Sequence, residues 1–130
     1  MRSLLWLVVA LTVLHAELSP DHYRQLQAEA PEALVILVGK VDTQSGLAPD
    51  GLTINVTVTA IVKQVIRSRS GLKPGASITI RYQVLLPDSP RPGASQPPVV
   101  GKGETMPAFL QPSEGATLKL AAQGKSFEKV

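Results

Sequence analysis

From Thr53 the chain alternates, with Ile54, Val56, Val58, Ala60 and Val62 on one side and Thr53, Asn55, Thr57 and Thr59 on the other. A period of two with one apolar side predicts a half-buried strand. The phase slips near Lys63, because Val65 leaves the apolar set, which predicts a bulge or a corner there. Beyond the stretch "RSRSGLKPG", Ile78, Ile80, Tyr82 and Val84 alternate against Ser77, Thr79, Arg81 and Gln83. Two long strands joined in this way predict a hairpin with one apolar face. At the turn, Pro74 sets φ of the second position and Gly75 accepts the positive φ of the third.

Upstream, "ALVILVGKVD" (33–42) is a continuous apolar run rich in β-branched residues, and at this length it predicts a strand. Gly39 inside it predicts a bulge or sharp coil of the kind a small closed barrel needs. "TQSGLAPDG" carries two turn signals and predicts a loop. "SPDHYRQLQAEAPEA" predicts a short helix: Ser19 caps it, Pro20 suits the first turn, and Asp21 suits the positive end of the dipole. Tyr23, Leu26 and Ala30 share one face, and Pro31 ends the helix, which is expected to plug the sheet or barrel.

Downstream, Pro87 to Pro98 holds five of the 11 prolines and predicts a long loop. "MPAFLQ" and "ATLKLAA" predict two short strands around the turn "PSEG". One short helix and five strands, two of them in a long coiled hairpin, make the expected fold class all-β, mainly β with one short helix, in a five-stranded OB-like barrel.

The order of landmarks also carries a resemblance. Val56 to Val65 ("VTVTAIVKQV"), then "GLKPG", "ITIRY", a loop, Gly103 to Leu110 ("GETMPAFL") and "AAQGKSF" resemble the netrin-like and tissue-inhibitor-of-metalloproteinase class of OB barrels. The same "KPG" and "FL" landmarks resemble small, uncharacterised exported bacterial proteins. The match covers about Ala33 to Phe127 and implies the barrel fold. Animal members of that class inhibit zinc proteases through an amino-terminal cysteine that chelates the metal. This chain has no cysteine, so that mechanism transfers to none of its residues.

At 130 residues one domain is expected. "MRSLLWLVVALTVLHA" has the layout of a secretory signal: a basic Arg2, an apolar run from Leu4 to Leu14, and a small Ala16. The run is shorter than the roughly 20 residues that span a bilayer. The expected organisation is a signal peptide at 1–16 and a single barrel domain at 17–130. An exported chain without cysteines is expected in a bacterial periplasm or secreted from a bacterium.

Net charge is a mild +3, but its distribution is uneven. Lys63, Arg67, Arg69, Lys73, Arg81 and Arg91 face one acid, Asp88, between residues 63 and 91. Arg67, Arg69, Lys73 and Arg81 are the candidate ligand-binding residues, forming a basic rim on the hairpin; the same residues also fit a plain solvated turn. No catalytic site is expected, because after signal removal His22 is the single histidine and no cysteine accompanies it. One histidine does not make a zinc site, and Asp42 and Asp50 lack the spacing of an EF-hand loop, so neither metal nor cofactor is expected. Nucleic acid is disfavoured as a ligand for want of stacking aromatics: Tyr82 falls on the inward set, and Tyr23, Phe109 and Phe127 are scattered. The expected function is an exported non-enzymatic binding or interaction module for a protein or an anionic envelope component, with contact at a membrane surface included. The alternative is a periplasmic protease inhibitor or regulator.

Overall fold

The computed structural model describes residues 19–49, 51–87 and 96–130; the expected signal segment, Asp50 and residues 88–95, with Asp88 and Arg91, lie outside the described residues. Helix α1 (Pro20–Glu29) is followed by strands β1 (Glu32–Ala48), β2 (Gly51–Ser68), β3 (Ser77–Pro87), β4 (Thr105–Pro112) and β5 (Thr117–Leu120), and by a short 3-10 turn at Gln123–Lys125. The strands close in the order β1-β2-β3-β5-β4, with β4 returning to β1. All neighbours are antiparallel except β3 and β5. The fold is therefore mainly β with one short helix, in a closed five-stranded OB-like barrel.

The alternating positions face as the sequence predicts. Val56, Val58, Ala60 and Val62 of β2 meet Ile78, Ile80 and Val84 of β3 in the core, with Leu34, Ile36 and Val38 of β1 and Ala108 and Leu110 of β4. The phase slip near Lys63 is a bulge: Val35 pairs with Gln64 and Ile36 with Val62, leaving Lys63 unmatched. Gly39 is unmatched in the same way between Val38 and Lys40. Bulges sharpen strand twist, and these two let one pair of long strands curve around a narrow core.

Three expectations are corrected. "TQSGLAPDG" is mostly strand rather than loop: β1 runs to Ala48 and pairs residue by residue with β2 back to Lys40 and Thr59. The well-patterned β2 templates a partner of weak strand propensity, because cross-strand packing outweighs local preference. Second, β5 ends at Leu120, short of the Ala121 and Ala122 in "ATLKLAA". Third, α1 does not plug the barrel. Its Leu26, with Ala30 at its end, packs on Ala33, Phe109 and Ala122, outside the β1–β4 seam. Ala33 and Phe109 are register partners on the side opposite the core. That is why "ALVILV" is apolar on both faces: one meets the core and the other begins under the helix.

The helix is also tied by polar contacts. The Ser19 side chain accepts a hydrogen bond from the His22 N–H at 3.2 Å, capping the first turn as expected. Gln27, buried, donates through Nε2 to the carbonyls of Lys125 and Glu128 at 2.8 and 2.6 Å, and its Oε1 accepts from the Val130 N–H at 3.3 Å. The chain end is thereby held against α1.

Candidate functional site

The hinge between β2 and β3 is organised around a residue that periodicity does not single out. Glu32 opens β1 on the interior-facing set of Leu34 and Ile36, and it is fully buried. Its Oε1 accepts from the hydroxyls of Ser68 and Ser70 at 2.5 and 2.7 Å, and its Oε2 from the N–H groups of Arg69 and Ser70 at 2.9 and 3.3 Å. No cation completes this set among the described residues. Burial works to raise the Glu32 carboxyl, but the hydrogen bonds from Ser68, Ser70 and Arg69 outweigh it and hold the group below its ordinary value. In "RSRS" the serines and the backbone, not the arginines, bind this carboxylate.

The arginines of the stretch then take different positions. Arg67 is exposed, yet its Nε donates to the Ala30 carbonyl and its terminal nitrogen to the Gln27 carbonyl, both at 2.8 Å. These are carbonyls at the end of α1, the Gln27 one also accepting from the Ala30 N–H at 3.4 Å, where a cation supplies further donors and suits the helix dipole. Arg69 and Lys73 lie exposed in the connecting loop. The Lys73–Ala76 turn has the expected geometry, with the Ala76 N–H donating to the Lys73 carbonyl at 3.0 Å and Gly75 at φ +92°.

Arg81 does not join them. It pairs with Thr57 on β2, ten residues from Arg67, which places it about 30 Å along the strand at 3.3 Å per residue. Of the four expected rim residues, the fold leaves Arg69 and Lys73 exposed in one loop, engages Arg67 in the helix end, and sets Arg81 elsewhere.

Around Arg81 a second arrangement appears that the sequence does not announce. Strands β3 and β5 run parallel for only two pairs, Thr79 with Thr117 and Ile80 with Leu118. Ile80 and Leu118 are buried, so the next residues in register, Arg81 and Lys119, both stand on the exposed face. Beyond them the strands separate and leave an open cleft of about 320 Å³ lined also by Gln83, Pro97 and Gln123. Neither cation has an acidic partner among the described residues. Gln123 is held at φ +51°, a left-handed conformation uncommon for a residue with a side chain. Lys119 is one polar residue in the short run "ATLKLAA", and only the β3–β5 register reveals its neighbour.

The cleft wall is firm. The Tyr82 hydroxyl donates to the Pro98 carbonyl at 2.7 Å and accepts from the Val100 N–H at 3.2 Å, while its ring lies 5.4 Å from that of Phe127. Burial pushes the phenol up, the Val100 N–H opposes that, and the Glu104 charge adds to the rise. Gln96 Oε1 accepts from the Leu85 N–H at 3.0 Å, so the described end of the proline-rich stretch is fastened to β3.

Among the described residues no group of three histidine, cysteine or acidic side chains is placed to hold a metal ion, and no helix is long and apolar enough to cross a membrane. No protein-family model and no curated protein matches the chain.

Proposed function

We propose that this chain is an exported, non-enzymatic binding module for an anionic component of the bacterial envelope, and that it engages that component through Arg81 and Lys119 at the β3–β5 cleft. One observation carries the reading: two cations without acidic partners among the described residues sit side by side on an exposed seam, flanked by the side-chain amides of Gln83 and Gln123. Adjacent like charges repel, a cost of the order of 1 kcal/mol at the surface that a bound anion removes. The Gln123 amide, and the Gln83 N–H that is not donated to Asn55 Oδ1 at 3.0 Å, supply donors to phosphate or carboxylate oxygens. Arg69 and Lys73 add a second, remote positive area at the hinge that attracts the same ligand at longer range.

Co-sedimentation with phosphatidylglycerol vesicles, set against neutral phosphatidylcholine vesicles over rising ionic strength, tests it. Binding to the anionic vesicles is expected to weaken with salt. Arg81→Ser combined with Lys119→Ser should reduce it further than Arg69→Ser combined with Lys73→Ser. Identical curves for the parent and the cleft variant overturn the proposal. Inhibition of a metalloprotease by protein that ignores both kinds of vesicle would favour the inhibitor alternative.

A further inference from the structure

Beyond the barrel, the second half of β1 pairs with β2 alone. Lys40–Ala48 lies against Gly51–Thr59, and β2 in turn against β3 from Thr79 to Pro87, so three strands continue outward as a wing. Its two edges differ. On the β3 edge, Gln96 binds the Leu85 N–H and Tyr82 is tied to Pro98 and Val100. Along the β1 edge no described residue pairs with Lys40–Ala48.

The direction of the free groups follows from the ladder. Val62 donates to Ala76 and accepts from Gly75, so its backbone groups face the β3 side. Alternation then turns the even residues of β2 toward β3 and the odd ones toward β1. Since Thr59, Thr57, Asn55 and Thr53 partner Lys40, Asp42, Gln44 and Gly46, the even residues of β1 are bonded inward. Val41, Thr43, Ser45 and Leu47 therefore present their N–H and C=O groups to the open edge. An unpaired edge of this length is a template for another strand.

The side chains select the occupant. One face of the wing carries apolar rows: Val41–Val58–Ile80 nearest the barrel and, at the tip, Leu47–Leu52–Leu86. The tip leucines are 94%, 36% and 47% exposed. We propose that the β1 edge pairs antiparallel with the same edge of a second copy, with Gln44 on the two-fold axis. That register sets Leu47 opposite Val41 of the other copy, twice, and joins each exposed tip row to the buried row of its partner in one six-stranded sheet. Thr43 stands opposite Ser45 with both backbone pairs complete. On the other face Asp42 meets Gly46 and Lys40 meets Ala48, so no like charges are apposed, and Lys40 keeps its own Asp42 at 3.6 Å. Moving the axis to Thr43 would put Leu47 against Gly39, and moving it to Ser45 would put it against Thr43. Of these three axes only the one at Gln44 matches apolar with apolar.

Sedimentation velocity of the purified protein over a concentration series tests the pairing, together with three variants. Thr43→Pro removes an N–H that the monomer leaves unused, and Leu47→Lys charges a side chain that contacts little within its own chain. Each is expected to weaken self-association about tenfold or more while circular dichroism stays that of the parent. The chain has no cysteine, so Gln44→Cys introduces a single thiol at the axis, where opposite Cα atoms of a non-hydrogen-bonded pair lie about 4.5 Å apart, within reach of a disulfide. Under mild oxidation it should form a covalent dimer far faster than Ser45→Cys. A parent that stays monomeric throughout, association that Leu47→Lys leaves intact, or equal crosslinking of the two cysteine variants overturns the proposal.

Discussion

Ser70 donates its hydroxyl to Glu32 Oε1 at 2.7 Å across 38 residues of chain, and this bond, with three others to the same carboxylate, fastens the β2–β3 hinge to the first residue of the barrel. A fully buried carboxylate without a cation is stable only where hydrogen bonds replace its water shell. The basic-looking hinge is in this respect an anion receptor turned on its own chain.

Glu32→Gln tests that receptor. The amide nitrogen brings donors where donors already converge, so one side of the cradle loses its acceptor. The expected cost is about 2–4 kcal/mol in urea denaturation, against about 1 kcal/mol for Ser70→Ala, which deletes one hydroxyl. Equal stability of Glu32→Gln and the parent would show that the carboxylate is dispensable.

The same group makes stability depend on acid. Its folded pKa lies below the ordinary value, so the unfolded chain takes up a proton first as pH falls. The contribution is complete above the ordinary glutamate range of about 4.3 and is lost as pH drops through it toward the lowered folded value. Denaturation midpoints of the parent and Glu32→Gln should therefore converge on acidification below about pH 4.5 and stay parallel from there to neutrality. A constant gap throughout contradicts this assignment.

Arg67 and Arg69 look alike in sequence and should behave differently. Arg67→Ser removes two bonds to the end of α1 and is expected to cost about 1–2 kcal/mol, reported by thermal denaturation and by faster proteolysis of the helix. Arg69→Ser leaves its backbone bond to Glu32 intact and should stay within about 0.5 kcal/mol of the parent.

Val58 and Thr57 separate the two faces of β2. Val58 is fully buried, so Val58→Asp places an unpaired carboxylate in the core and should unfold a domain whose total stability is about 5–15 kcal/mol. Thr57→Asp adds a carboxylate between Asp42 and Arg81 on the outer face, where repulsion and attraction nearly offset, and should be mild. Circular dichroism of the two variants decides.

Strand phase was readable from residues alone: the period of two from Thr53, its slip at Lys63, the glycine at 39 and the Lys73–Ala76 turn each follow from local steric rules acting on neighbouring side chains. The short capped helix was readable for the same reason. What the linear pattern withheld depends on residues far apart in sequence. Glu32 meets Ser68 and Ser70 only because β1 and β2 pair, Lys119 meets Arg81 only because β5 runs parallel to β3, and Thr43–Ala48 becomes strand only because β2 lies beside it. Periodicity reports which side of an element is apolar. Which polar groups end up together is decided by strand register and barrel closure, because charge and hydrogen-bond energies depend on distances that only the closed sheet sets.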